Sequence, residues 1–259
     1  MTLSTILEAV AASAVSSNTA MSTTTLRRVE RVRHELKRRR LTVKAVEALT
    51  PHFRRITLVD DSLSDFVSLS FDDHVKVFVD DEARRDYTPR RYDNAARELV
   101  IEFALHGEGP AAEWATRAAV GDTLDIGGPK GSLIVPLDYD WHLLVGDETA
   151  FPAVARRLEE LPAGAKALVI LQAADTADRR EFATKADLAI TWVSTDAELL
   201  AAVRALALPE GEGYAWCAGE AACMAALRRE LVEVKGHPGE AIRAAAYWKR
   251  GARGHHENL

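Results

Sequence analysis

The chain has 259 residues, room for two modest domains, with 47% hydrophobic and 28% charged residues and a net charge of -6. That balance gives no overall pull toward nucleic acid or an anionic membrane surface. The two cysteines, Cys217 and Cys223, do not form a C-x-x-C pair. They exclude a disulfide framework and a cysteine-held zinc or iron–sulfur centre and fit a reducing cytoplasm, so redox chemistry here needs an organic cofactor.

Residues 1–20 are rich in Ala, Ser, Thr and Val, with no basic start and only a short, interrupted apolar stretch. They make a poor secretory signal and are too polar to span a bilayer, so residues 1–25 are expected to be a disordered or weakly structured extension. Residues 27–40 hold eight Lys and Arg. Such a run can be a nucleic-acid patch, but no aromatic residues interleave to stack on bases, and it reads as a solvated lead-in to the first strand.

From 41 to 133 the texture is all-β: LTVKAVEAL, RRITLV, HVKVFV, ELVIEFAL and DTLDIGG, separated by Pro, Gly and Asp-rich turns. Strands at this spacing predict a small barrel, interrupted by one helix over 110–119. In HVKVFV the valines share one face and read as core; Lys76 points the other way, to solvent or a cleft. The run 85–92 reads R-D-Y-T-P-R-R-Y. On an extended segment Arg85 and Tyr87 share a face. Arg85 can grip a pyrophosphate through its planar fork, Tyr87 can lie against a ring system, and Thr88 can hydrogen-bond a polar ring edge. That set suits a flavin dinucleotide; the alternative is an edge strand with solvated charges. At 105–115, LHGEGPAAEWA, a strand runs through two glycines and a proline into a helix. Pro110 suits the first helical turn, and the free N–H groups there make an anion site. The turn GGPKGS at 127–132 presents one cation, Lys130, and lacks the P-loop pattern.

After 136 the texture changes. WHLLVG (141–146), KALVIL (166–171), LAITWV (188–193), YAWC (214–217) and AIRAAAYW (241–248) alternate with helical patterns over 150–161, 196–206 and 220–234. This predicts a parallel sheet covered on both faces, with ligands at the carboxyl ends of its strands. The junction divides the chain into domains 26–138 and 139–259. Gly146-Asp147-Glu148-Thr149-Ala150 stands where a dinucleotide fold carries its glycine fingerprint, and its two acids would repel a pyrophosphate placed directly there. Arg179 and Arg180 lie in a loop that can accept a 2′-phosphate, which favours NADPH, or that is simply solvated. Cys217 is either a neighbour of the nicotinamide or a buried thiol. For Arg243, in a small-residue strand, the residues alone suggest pairing with a buried carboxylate.

The combined pattern resembles the siderophore-interacting proteins, the FAD-dependent ferric-siderophore reductases of the ferredoxin-reductase-like superfamily, and within them the NADPH-dependent ferric-chelate reductase branch. The likeness rests on D-D-H-x-K (72–76), R-D-Y-T-P (85–89), LHGEGPAAEWA, GGPKGSL (127–133), GDETAFPA (146–153), A-G-E (218–220) and A-A-A-Y-W (244–248), in family order from about residue 26 onward. It implies an N-terminal Greek-key FAD-binding β-barrel followed by an open parallel-sheet NAD(P)H-binding α/β domain. It implies FAD held by Arg85, Tyr87 and Thr88, with His106, Gly109, Ala111 and Ala112 at its phosphates and Asp147 and Thr149 at the cofactor edge. It also implies hydride from NAD(P)H, NADPH favoured, and a ferric siderophore or other ferric chelate gripped by Lys76, Lys130 and Arg243, with no resident metal. Relatives commonly carry Ser at the position of Ala112, and often Arg at that of Lys130. A monomeric cytoplasmic enzyme is the expectation, with reduced ferredoxin left open as a donor. Two other readings remain: a siderophore carrier with little turnover, and a flavin electron-transfer protein with another acceptor.

Overall fold

The computed structural model describes residues 29–79, 84–105, 109–252 and 257–258. The expected extension 1–25 and the expected cofactor residue His106 lie outside the described residues. The first half contains β1 (Glu30–Arg33), β2 (Arg38–Thr50), β3 (Phe53–Val59), β4 (Val75–Phe78), β5 (Arg84–Tyr87), β6 (Pro89–Asp93), β7 (Glu98–Ala104), α1 (Pro110–Arg117), β8 (Thr123–Gly127) and β9 (Gly131–Ile134). The second contains β10 (Trp141–Gly146), α2 (Phe151–Glu160), β11 (Lys166–Gln172), β12 (Asp187–Val193), α3 (Asp196–Ala205), β13 (Gly213–Glu220), α4 (Ala221–Arg229), β14 (Ile242–Trp248) and β15 (Glu257–Asn258).

Seven antiparallel strands form one sheet in the order β5-β4-β8-β2-β3-β7-β6. Its edge strands, β5 and β6, are consecutive in the chain and joined by Thr88 alone. A sheet whose two ends are one residue apart must curl on itself, and the Tyr87 ring of β5 meets the Phe103 ring of β7 across the seam, 4.4 Å between centroids. The interior is the alternating apolar set: Leu41, Val43, Ile56, Leu58, Val75, Val77, Leu99, Ile101, Leu124 and Ile126 are all buried. Each buried aliphatic side chain contributes roughly 1.5–3 kcal/mol. The expectation for HVKVFV holds here: Val75 and Val77 are inside and Lys76 is exposed.

The other sheet runs β12-β11-β10-β13-β14-β15, parallel except for β15. Its central strands β10 and β13 are buried at every residue because both faces are covered there, whereas the edge strand β12 is largely exposed. Leu143, Val145, Ile170, Ala215 and Cys217 pack with Leu199 and Val203 of α3 and Met224 and Leu227 of α4. Leu144, Val169, Leu171 and Trp216 pack with Phe151, Val154 and Leu158, and with Phe53 and Phe71 from the first half. The strand order reverses between β10 and β13, which makes their carboxyl ends the ligand crevice of such a sheet.

That shared cluster fuses the halves, and a polar network reinforces it. Glu102 of β7 is buried among Arg55, Arg90 and Arg180. Arg156 of α2 donates to Ser68 Oγ at 2.7 Å, to Ser68 O at 2.8 Å and to Pro89 O at 3.0 Å. Asp178 accepts from Thr50 Oγ1 at 2.6 Å and from the His52 backbone at 3.2 Å. Among the described residues no helix is long and apolar enough to cross a membrane.

Candidate functional site: a flavin seam beside a basic corner

The R-D-Y-T run sits on the seam of the curled sheet. In the β4–β5 register Arg85 faces Val77 and Tyr87 faces Val75, so both side chains share the valine face of the ribbon. Tyr87 leans on Phe103, and Phe103 in turn meets Trp114 of α1 at 5.6 Å. One ring thus braces both the seam and the helix. Burial keeps the Tyr87 hydroxyl far above its ordinary pKa, against the opposing Arg85 charge, so it stays protonated. Thr88 is buried at the strand junction. Arg85 donates to the Arg84 carbonyl at 2.9 Å and has no carboxylate partner among the described residues. Helix α1 begins at Pro110 behind Gly109, which offers no side-chain cap. The Ala111 and Ala112 N–H groups therefore lack an intrahelical partner, and the space where a Gly109 side chain would stand is open. A guanidinium with no carboxylate partner and helix-start donors with no partner among the described residues are what a pyrophosphate needs, so these residues fit FAD. Ala112 contributes no hydroxyl; its carbonyl accepts from Thr116 Oγ1 at 2.8 Å.

The crevice at β10 and β13 is different. Asp147 Oδ1 caps the following turn, accepting from the Thr149 N–H at 2.9 Å and the Thr149 hydroxyl at 2.5 Å. Its Oδ2 accepts from the Glu220 N–H at 3.0 Å and Trp248 Nε1 at 2.8 Å. Burial pushes the Asp147 carboxyl up to about 6. Gly219, at φ +153°, lies so close that a side chain there would strike Oδ2. Glu148 accepts the Ala174 N–H, and Glu220 caps α4 at Ala222 and Cys223. Carboxylates thus occupy the donors that a phosphate uses in a glycine-fingerprint fold. Asp147 and Thr149 staple three strand ends together, and their polar atoms are already paired with protein. Arg180 is likewise committed: it donates to Glu102 at 2.7 Å and lies over the rings of Phe53, Phe151 and Phe182. The expectation that Arg180 accepts a 2′-phosphate is therefore corrected, because that guanidinium anchors the two halves. Arg179 is exposed. Cys217 is a buried thiol, pushed up to about 12 by burial.

Of the three expected substrate cations, Lys76 lies within the segment 72–76 and Arg243 pairs with it at Asp72, while Lys130 stands on the turn between β8 and β9. Arg243 Nε on β14 closes an ion pair with buried Asp72, a charge-to-charge contact without hydrogen-bonding angles. The other oxygen of Asp72 accepts from Trp216 Nε1 at 2.9 Å and from the Tyr247 hydroxyl at 3.3 Å. Lys76 pairs with Gly127 in the β4–β8 ladder, three residues before Lys130, and its ammonium reaches Asp86 at 2.9 Å. Asp86 stands between Arg85 and Tyr87 on the opposite face of β5, so the corner and the seam share a strand. Burial and the Asp72 charge hold the Tyr247 hydroxyl well above its ordinary pKa, and the Asp86 charge adds to this. Lys130 is exposed and unpaired among the described residues.

The family model of the siderophore-interacting FAD-binding domain matches residues 42–84 and 80–133, and that of the siderophore-interacting protein matches 139–251. An NADPH-dependent ferric-chelate reductase of Escherichia coli K12 is 35% identical over 245 residues, covering 85% of this chain and 96% of its own. The chain belongs to the siderophore-interacting protein family. The ferric vibriobactin reductase ViuB of Vibrio cholerae is 32% identical, covering 76% of this chain and 84% of its own. Among solved structures, a siderophore utilization protein from T. fusca superposes with a TM-score of 0.80 at 34% identity, covering 89% of this chain and 98% of that one. The siderophore-interacting protein SipS from Aeromonas hydrophila gives 0.75 at 29% identity, over 85% and 93%. A ferredoxin reductase of carbazole 1,9a-dioxygenase, at 19% identity and a TM-score of 0.64 over 80% of this chain and 66% of its own, shows the shared fold.

This siderophore-interacting protein therefore carries an FAD-binding barrel ahead of its parallel-sheet half. Several site residues had no role assigned from the sequence. Asp72 was visible inside the D-D-H-x-K motif, yet only folding reveals it as the anchor of Arg243. Phe103 read as one more apolar strand residue, although it braces Tyr87. Trp216 carried no signal beyond hydrophobicity, and Tyr247 stood out only as part of A-A-A-Y-W, with no role attached.

Proposed function

We propose that this protein is an FAD-dependent reductase that passes electrons from NADPH to anionic ferric siderophores or other ferric chelates, releasing Fe(II). What supports the reading is that Arg243 pairs with Asp72 while Lys76, on the same segment, lies on the strand paired with the R-D-Y-T strand, with exposed Lys130 on the turn that follows β8. When bound, FAD accepts a hydride from the pyridine nucleotide and gives up electrons one at a time, which matches a two-electron donor to a one-electron iron acceptor. Arg85 and the N–H groups of Ala111 and Ala112 hold the pyrophosphate. Tyr87, backed by Phe103, and Thr88 orient the ring system. Lys130 and Lys76 attract the anionic chelate, while Arg243, steadied by Asp72, fixes the side of the cleft nearest β14. Each exposed pair of this kind is worth about 0.5–1 kcal/mol and is screened by salt, enough to orient a substrate whose reduced product must leave.

NADPH is the favoured donor, with exposed Arg179 as the remaining cation for a 2′-phosphate, and reduced ferredoxin is the alternative donor. The enzyme acts as a cytoplasmic monomer. The test is an anaerobic titration of the FAD-loaded protein with NADPH and NADH, followed by a ferric chelate in the presence of a ferrous trap. Bleaching of the flavin by NADPH and its recovery on adding the chelate, with trapped Fe(II), is expected. Protein that takes up no flavin, or reduced protein that ignores every ferric chelate, overturns the proposal.

A further inference from the structure

Among the described residues, strand β1 belongs to neither large sheet and pairs with β9 alone. That ladder lies against the turn carrying Lys130. His34, the residue after β1, donates its backbone N–H to the Lys130 carbonyl at 3.0 Å, so the two side chains are cross-strand neighbours. The His34 ring Nε2 lies 2.8 Å from Ser132 Oγ. Ser132 Oγ also accepts the Leu69 N–H at 3.1 Å and donates to Asp73 Oδ2 at 2.6 Å. With its one proton directed to Asp73, Ser132 accepts from the ring, which fixes the Nε2–H form of His34. Asp73 is buried and takes two further bonds, from Ser68 Oγ at 2.9 Å and the Ser70 N–H at 3.1 Å.

The chain of imidazole, hydroxyl and carboxylate therefore ends beside Asp72, the partner of Arg243, and three residues before Lys76. The turn is held by its backbone, through the Gly127 and Gly131 ladders and the Gly128 N–H on the Lys37 carbonyl at 3.0 Å, and not by its own side chains. Among the described residues, no side chain from 127 to 131 makes a hydrogen bond of its own, and three of those five residues are glycine. Gly131 is pressed so closely on β1 that a Cβ would stand 2.5 Å from the Val32 carbonyl.

We propose that His34 is a positioning residue for substrate binding: through Ser132 and Asp73 it holds the Lys130 turn in register with the segment that sets Lys76 and Arg243. The proposal rests on the reading of these three cations as the chelate site. His34 touches no substrate, so its effect cannot exceed that of Lys130 itself.

The test compares His34→Phe, His34→Gln, Lys130→Met and the His34→Phe/Lys130→Met double variant, all FAD-loaded. Two chelates serve as probes: anionic ferric dicitrate and neutral ferric trimaltol. The rate at which NADPH bleaches the flavin, with thermal melting, reports on folding and cofactor. His34→Phe keeps the ring volume and loses the donor; Gln restores an N–H at the height of Nε2. His34→Phe and Lys130→Met should each raise KM for ferric dicitrate about two- to five-fold, and the double variant should be no worse than Lys130→Met alone. His34→Gln should return to within about 1.5-fold of the parent, and KM for ferric trimaltol should stay within about 1.5-fold throughout. Equal effects on both chelates, effects that multiply in the double variant, or failure of Gln to rescue overturn the proposal. If Lys130→Met raises KM and His34→Phe does not, the role of His34 falls while the cation site stands. If Lys130→Met changes nothing, the cation site falls and this role with it.

Discussion

Replacing Glu102 by Gln tests whether one buried carboxylate locks the two halves. The substitution keeps shape and removes charge from a side chain only 1% exposed. Three cations then lose a partner, but unequally. Arg55 retains Glu47 at 3.3 Å and Arg90 retains Glu159 at 2.8 Å. Arg180 has Glu102 as its one carboxylate partner among the described residues, and keeps only its contacts with three phenylalanine rings. Leaving one buried charge uncompensated costs about 3–5 kcal/mol; the ring contacts favour the lower end, so about 3 kcal/mol is expected. For a chain of this size that is a fall of roughly 6–12 °C in Tm, read from a thermal melt at neutral pH.

The same carboxyl gives a pH signature. Burial alone would raise its pKa, but the Arg180 charge, the Arg55 bond and the Arg90 charge outweigh burial and hold it below 4.5. The folded value thus lies below the unfolded one. Its stabilisation is complete above about 4.5 and is lost as pH falls through the depressed folded value, so wild type and Glu102→Gln converge in acid. Adding Arg180→Met to Glu102→Gln removes the stranded cation and should recover part of the loss. A shift under about 2 °C for Glu102→Gln, or a strictly additive double variant, refutes the reasoning.

Ala112→Ser puts a hydroxyl back at the open start of α1 and should tighten FAD about five-fold, measured by flavin fluorescence on reconstitution of apoprotein. Lys76→Met should raise KM for an anionic ferric chelate about two- to five-fold, an effect that fades as salt rises, and leave NADPH bleaching of the flavin nearly unchanged. Both thiols are pushed up to about 12 by burial, so Cys217 and Cys223 should resist a thiol-reactive dye at pH 8 (a condition of about ordinary thiol pKa) until the protein unfolds.

Regular periodicity made most of the architecture legible. WHLLVG is β10 residue for residue, and the valine alternation of HVKVFV matches the burial of β4. The R-D-Y-T spacing marks the seam because side-chain alternation is a local property. Other features depend on what folds against them. The basic run 27–40 reads as solvated, yet it contains β1 and buried Arg39, whose guanidinium meets Asp65 at 2.7 Å. Arg180 reads as a loop cation; its partner is 78 residues away on the other half, and no local pattern encodes that meeting. Helix 220–234 is split: α4 ends at Arg229 and the chain continues as a wider turn to Val234, with Lys235 bonding back to Glu230.

The polar clasps between the halves bear on how such proteins can be recombined. A nucleotide half borrowed from a relative would have to bring counterparts of Arg156, Arg180 and Asp178 to meet Ser68, Glu102 and the Thr50–His52 corner. The two halves are therefore not exchangeable cassettes, and a chimaera joined at the linker has to transplant both sides of each clasp.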